Sequence, residues 1–263
     1  MYYWNQKEEL AKKAQAHTAR MAKEYADEIA QAVNKSLVYR GSALSFSDYQ
    51  YPEMLGSQGA IMTDSVSAIF LPELVNKRVC VLNFASYKNP GGMFLKGSSA
   101  QEESLCHESF LYNVLKEFDT PQRPYYGETR SRLNKGMYTD LALYTPDVRF
   151  FHNGQERLAD VITCAAPNYS VSLKYGNFTA EENNKALSLR IDFVKHILSI
   201  QKPDVAILGA WGCGVFRQDP EDVADLWCQG NGVPVERTIH AIPDRPTFDA
   251  FCQVLAKYSI QEP

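Results

Sequence analysis

The chain has 263 residues, with 27 Lys and Arg against 31 Asp and Glu and 45% hydrophobic residues. That length and balance fit one large core behind a long N-terminal segment and exclude a disordered or fibrous chain. A net charge of −4 excludes a duplex nucleic-acid binder that works by neutralising phosphates, so any phosphate recognition must come from local dipoles or a few placed residues.

In chain order, MYYWNQKEELAKKAQ lacks the basic and apolar regions of a secretory leader, and no apolar stretch approaches the roughly 20 residues that span a bilayer. The six Cys are scattered, with no CxxC pair and no zinc-type spacing, which points to a soluble protein of a reducing compartment, expected in the cytoplasm. Residues 5 to 33 read as one long helix with Met21, Tyr25, Ile29 and Ala32 as its apolar stripe, packed on the main domain. A strand-like run, SLVYRGSALSF, and a turn-rich stretch to residue 60 close this N-terminal extension.

Residues 61–263 are expected to form the remaining domain, as one structural unit with the extension. From residue 78 strands alternate with helices. RVCVLNFAS (78–86) is a buried strand, followed by the loop NPGGMFLKGSS and a helix from Ala100 to Lys116. Residues 119–139 carry two Pro, two Gly and no periodicity, and are expected to be a long exposed loop. DLALYT and VRFF are two strands, and DVITCAAP is another. A helix over 180–200 is marked by Leu187, Ile191, Val194 and Leu198. DVAILGAWG ends a strand at glycines, and DPEDVADLW opens a helix with Asp219 as N-cap and Pro220 at N1. RTIHAIP and TFDAFCQVLAKY supply the last strand and helix. The pattern is that of an α/β layered fold with a parallel or mixed sheet.

Six of the 15 glycines fall in two windows, Gly91, Gly92 and Gly97, then Gly209, Gly212 and Gly214. Each window lies between a strand and a helix, where α/β proteins place their ligands and where backbone amides and a helix N-terminus attract anions. Neither window is a nucleotide fingerprint, and the absence of GxxxxGK[ST] excludes a P-loop NTPase. GAWGCGVF alone reads equally as a tight structural turn or an anion-binding loop. After the first window come Gln101, Glu102 and Glu103. Ser99-x-x-Glu102 matches a capping box, so the acids also read as helix caps. Neighbouring helical residues point about 100° apart, so Glu102 and Glu103 cannot both cap, which leaves one to face the loop. Cys106 and His107 are adjacent on this helix and do not face each other as a dyad. His17, His152, His196 and His240 lack partners at metal-ligand spacing.

NFASYKNPGGMFLKGSSAQEESL, followed about 100 residues later by ILGAWGCGVFRQDPEDVA, resembles the microbial-type poly(ADP-ribose) glycohydrolases, a branch of the macrodomain fold. The family signature is a glycine triplet, six to eight residues and Gln-Glu-Glu; here Gly91-Gly92-Met93 and seven residues precede Gln101-Glu102-Glu103. The resemblance runs from the N-terminal helix to the last strand. It implies a macrodomain-like three-layer α/β/α fold with a mixed central sheet, and a metal-independent glycohydrolase with no cofactor. Poly(ADP-ribose) or protein-linked ADP-ribose would be the substrate, and the protein would act as a monomer without a membrane partner. Glu103 would be the catalytic acid/base, Glu102 would hold ribose hydroxyls and Gln101 would fix the loop. Asn89, Gly91 and Gly92 would surround the distal ribose and diphosphate, and Asn83 would contact that ribose. Gly212, Cys213, Gly214 and Val215 would wrap the diphosphate, with Phe216 stacked near the adenosine end. Glu103 would need its pKa raised by burial and by the ligand's charge.

Met93 departs from the triplet. A side chain there is expected to restrict the backbone, narrow the site or block an extended polymer, which makes release of single ADP-ribose units a competing activity. The rival reading from another class is a module that binds ADP-ribose without cleaving it.

Overall fold

The computed structural model describes residues 2–41 and 56–259. It begins with α1 (Tyr2–Glu24) and α2 (Ala26–Lys35), so the single helix expected over 5–33 is broken. The break is at Tyr25, whose φ and ψ of −125° and 29° leave the helical region while its ring packs against Phe110 and Phe151. β1 (Leu37–Arg40) realises the first part of the expected SLVYRGSALSF strand; residues 42–46 of that run lie outside the described residues. β2 (Ser57–Ile61), α3 (Ser65–Ile69) and β3 (Val79–Phe84) follow. The helix expected from Ala100 to Lys116 is divided into α4 (Gln101–His107) and α5 (Leu111–Leu115). Between them Ser109 forms a bridge with Phe150, and its hydroxyl bonds back to Leu105 O.

The exposed loop expected over 119–139 is instead built around α6 (Tyr125–Ser131). Tyr125, Tyr126, Met137 and Tyr138 are buried there, and Tyr125 Oη donates to Thr163 O. A seven-residue helix flanked by irregular turns carries too short a period to announce itself, yet its aromatics hold it to the core. β4 (Leu141–His152) joins the two strands expected there, with Pro146 and Asp147 accommodated by a register shift between Thr145 and Val148. β5 (Gln155–Cys164), α7 (Tyr169–Tyr175), α8 (Ala180–Gln201), β6 (Val205–Leu208), α9 (Pro220–Cys228), β7 (Arg237–Ala241) and α10 (Arg245–Ser259) complete the chain. Asp219 caps α9 as expected, accepting from the amides of Glu221 and Asp222, with Pro220 in the first helical turn.

Seven strands form one sheet in the order β1-β4-β5-β3-β6-β7-β2. β1, β4 and β5 pair antiparallel, and β5, β3, β6, β7 and β2 pair parallel. The boundary expected near residue 60 falls within β2, and β1 and β2 form the two sheet edges. Successive side chains of a strand face opposite ways, and the core follows that alternation. Val79 and Val81 of β3 join Val66, Leu105, Leu111 and Met21 on one face. Cys80 and Leu82 join Leu187, Ile191, Val194 and Trp227 on the other. Helices therefore cover both faces, giving three layers. Among the described residues no helix is long and apolar enough to cross a membrane.

The loop after β3 is braced from outside by α1. At Gly97, with φ of +77°, an added Cβ would lie 2.0 Å from Lys7 O and 3.1 Å from Ala11 N. Gly97→Ala is expected to destabilise the fold by at least about 2 kcal/mol, since a left-handed alanine and a displaced helix both count against it. Urea unfolding of the variant beside wild type measures this.

Candidate active site

The cleft begins where β3 and β6 end. These strands are parallel neighbours, so the loops after Phe84 and Leu208 emerge side by side at the carboxyl edge of the sheet. Two cavities of about 460 and 510 Å3 lie there and share Phe84, Ala100, Gln101, Ala210 and Gly214. They are two lobes of one cleft. One lobe contains Glu102, Glu103, Met93, Trp211 and Phe216, and the other contains Asp64, Val66, Cys213, Pro243 and Asp244.

Gln101 ties the helix to the strand. Its Oε1 accepts from Phe84 N at 2.9 Å, while Nε2 donates to Leu82 O at 2.9 Å and to Ser65 Oγ at 3.1 Å. The amide side chain thus continues the hydrogen bonding of β3 beyond its strand partners and sets where α4 starts. Glu102 and Glu103 follow, and both are buried. Glu102 Oε2 accepts from Ser86 N at 2.7 Å and its Oε1 from Asn83 Nδ2 at 3.2 Å. Glu103 Oε1 accepts from Met93 N at 2.8 Å and its Oε2 from Ala100 N at 3.1 Å. The capping interaction is therefore one residue later than the expected Ser99/Glu102 box, and Ala100 has no side-chain oxygen to reciprocate.

Burial pushes the Glu102 carboxyl up to about 8, with the neighbouring Glu103 adding to the rise; the Ser86 amide and Asn83 only partly offset it. Both carboxylates converge on Gly92. An added Cβ there would lie 2.6 Å from Glu103 Oε1 and 3.0 Å from Glu102 Oε2, at a φ of +61°. Gly91 has the same φ, and its Cβ would strike the Tyr112 ring at 2.8 Å. Met93, the third residue of the triplet, has φ of −110° and ψ of 27°, a conformation open to any residue. The expected backbone restriction does not arise, because the left-handed turn is complete at Gly92. Met93 is 38% exposed and lines the carboxylate lobe.

In the second loop Gly212 has φ of +83°, and a Cβ there would lie 2.8 Å from Gln218 Cγ and 3.0 Å from Ala166 Cβ. Cys213 N donates to Ala210 O, Arg217 N to Gly214 O and Gln218 N to Gly212 O. Gly214 forms the open crest, with nothing within 4 Å of an added Cβ. The helix end behind this loop is not vacant for an anion, since the Asp219 carboxylate occupies the first amides of α9.

The structure thus brings Gln101, Glu102, Glu103, Gly92, Met93, Gly212, Gly214, Val215 and Phe216 to the carboxylate lobe. Cys213 faces the other lobe. Phe216, expected near the adenosine end, stands on the carboxylate side. Asn83 is fully buried beneath Glu102, and Gly91 packs on Tyr112 and Cys106. Asn89 is exposed and contributes its carbonyl to the turn, accepting from Gly92 N at 3.0 Å.

Sequence reasoning missed the wall behind Phe216. Tyr138 meets Phe216 edge-on at 6.2 Å and stacks on Tyr87 at 4.0 Å. Buried Arg190 anchors this segment through Asp140, Met137 O and Ala165 O. Tyr138 and Arg190 lie outside every motif singled out, and Tyr87, though inside NFASYKNPGG, meets Tyr138 only through the fold. Ser65, Asp64 and Asp244 lie outside the motifs, and Ser86 and Trp211, though inside the two quoted segments, carry no local sign that they line the cleft. Cys106 and His107 do not cooperate: burial raises the Cys106 thiol, and His107 packs edge-on against Phe94. Among the described residues no group of three or more His, Cys, Asp or Glu is placed to hold a metal ion.

A family model described as the microbial-type PARG catalytic domain matches residues 5–153. The poly(ADP-ribose) glycohydrolase of Thermomonospora curvata is 26% identical, with a TM-score of 0.80 over 94% of this chain and 99% of that one. The same enzyme bound to the inhibitor ADP-HPD gives a TM-score of 0.79 at 26% identity, over 94% of this chain and 99% of that one. The Deinococcus radiodurans glycohydrolase in complex with ADP-ribose is 28% identical, with a TM-score of 0.75 over 87% of this chain and 97% of that one. No curated protein matches.

Two outcomes test this geometry. Gly92→Ala should destabilise the fold by at least about 2 kcal/mol in urea unfolding, whereas Met93→Ala should stay within about 1 kcal/mol. Glu102, raised above its ordinary value of 4.5, contributes stability while protonated and loses it as pH rises from 4.5 to about 8. The Tm of Glu102→Gln relative to wild type should therefore climb from pH 5 to pH 8, and a flat difference would contradict the buried acid.

Proposed function

The chain belongs to the microbial-type poly(ADP-ribose) glycohydrolase family and is a hydrolase of that family, and from that premise we propose that it releases ADP-ribose from poly(ADP-ribose) or from protein-linked ADP-ribose with Glu103 as acid/base. The observation that carries the reading is the convergence of two buried carboxylates on one glycine turn at the floor of an open cleft.

The scissile ribose would occupy the carboxylate lobe between Gly92, Met93 and Phe216. The diphosphate would cross the shared waist at Gly214, and the adenosine would extend into the lobe of Asp64 and Asp244. Gly214 carries no side chain to obstruct that crossing, and the loop presents main chain there. ADP-ribose is the ligand held by the Deinococcus enzyme, and its length suits a two-lobed cleft.

Cleavage breaks the bond between the anomeric carbon of the bound ribose and the hydroxyl oxygen of the group beyond it. Glu103 donates a proton to that oxygen as it leaves, and the ligand's own diphosphate offsets the positive charge that develops on the ribose. Glu103 then takes a proton from the water that attacks the anomeric carbon, which restores the acid. Amides of Met93 and Ala100 hold the carboxylate in place throughout. Glu102, kept protonated near neutral pH by burial, can donate to a ribose hydroxyl without adding a second negative charge beside the diphosphate. Asn83 and Ser86 position it from behind.

Glu103→Gln should reduce ADP-ribose release about 10³-fold while binding of ADP-ribose persists. Release is measured by chromatography from mono- and poly-modified protein offered in parallel. A fully active Glu103→Gln would overturn the role of this residue. Wild-type protein that binds ADP-ribose but liberates none from either substrate would make the chain a reader.

A further inference from the structure

Beyond the cleft, on the far side of Val215, lies a groove of about 680 Å3 between α7 and the loop 212–217. Ser170, Leu173, Lys174, Tyr175, Val215 and Arg217 line it, and no acid does. Two cations without an acid form a local exception on a chain of net charge −4. Among the described residues neither Lys174 nor Arg217 forms an ion pair, although most other arginines flanking the core do. The Lys174 ammonium lies 5.1 Å from the centroid of the Tyr175 ring, and that ring is 66% exposed.

The groove is mechanically part of the active-site rim. Ser170 N donates to Phe216 O at 3.1 Å and Ser170 Oγ to Val215 O at 3.1 Å, so α7 is fastened to the loop that closes the carboxylate lobe. Val215, 83% exposed, lines both the lobe and the groove. Arg217 adopts φ of +60°, a left-handed conformation that costs a non-glycine residue energy, where glycine would sit freely.

The geometry points to this groove as a binding site for the ADP-ribose unit beyond the scissile bond, with Lys174 and Arg217 on its diphosphate and Tyr175 against its adenine. This inference rests on the proposed function, which puts the scissile ribose in the lobe that Val215 borders. A group attached at the anomeric carbon must leave that lobe over its rim, and the groove starts at the rim. Its chemistry matches a nucleoside diphosphate: two cations for two phosphates, and an exposed aromatic face on which any base can stack.

The test is equilibrium binding of poly(ADP-ribose) and of ADP-ribose, in the Glu103→Gln background so that polymer is not consumed. Adding Lys174→Ala with Arg217→Ala should weaken polymer binding about tenfold and flatten its salt dependence, leaving ADP-ribose affinity unchanged. Tyr175→Ala should weaken polymer binding again, with Tyr175→Phe retaining it. Unchanged polymer affinity in the double variant would overturn the inference, as would an equal loss for both ligands, which would mean a disturbed loop. A mono-ADP-ribosylated acidic peptide forms the third arm; loss confined to it would assign the groove to the modified protein instead. ADP-ribose released in the same samples is measured alongside: release by the Glu103→Gln background would fail the proposed role of Glu103, while polymer affinity at zero release tests the groove alone.

Discussion

Two adjacent carboxylates buried at the start of one helix are the constraint on which the site is built. Each must be supplied with donors or held neutral, since an unpaired buried charge is costly. Here the donors are the Asn83 side chain and main-chain amides from three points in the loop after β3: Ser86 for Glu102, and Met93 and Ala100 for Glu103. To bring those amides inward the loop turns left-handed at Gly91 and Gly92 and approaches the carboxylates so closely that no side chain fits at position 92. The glycines, the acids and the first turn of α4 are therefore one object. None has its observed role without the other two.

The sheet sets where that object stands. β3, like β6 beside it, is buried on both faces, and this alternation divides the core between two layers of helices. Gln101 hydrogen bonds to the end of this strand and fixes α4 relative to it. β6 runs parallel beside β3, so its own glycine loop reaches the same edge, and the cleft forms between the two loops. Arg190, Tyr138 and Tyr87 brace the wall on which Phe216 leans, and α1 braces the first loop at Gly97. The N-terminal helices are in this sense part of the support of the site.

The chain is acidic, and two adjacent carboxylates at one site must have their repulsion limited locally. Burial pushes the Glu102 carboxyl up, and the acids at the first turns of α4 and α9 are spent on the protein's own amides. The first turn of α9 is thereby satisfied from within. Among the described residues two cations outside any ion pair, Lys174 and Arg217, stand beyond the cleft.

Much of this was legible in the sequence because it depends on local rules. Strand-helix alternation, the Asp219 and Pro220 start of α9, the stripe of α8 and the two glycine windows are short-range patterns with direct physical causes. The resemblance to a glycohydrolase family rests on the same short segments, and it singled out Glu102, Glu103 and Gln101. Tertiary structure decided what depends on distant residues. Tyr25 breaks the first helix because its ring packs against Phe110 and Phe151. The 119–139 segment folds because its tyrosines find a core that its own aperiodic sequence does not reveal. The resemblance implies a ribose contact for Asn83, and only the fold shows that its side-chain amide donates to Glu102 from beneath. Met93 looks like a defect in a glycine triplet until the dihedral angles show that only the first two positions turn left-handed. Sequence determined which chemistry the chain carries, because residue type and spacing are local. Only the fold decided which of those groups face the cleft, because burial is a property of contacts between segments far apart in the chain.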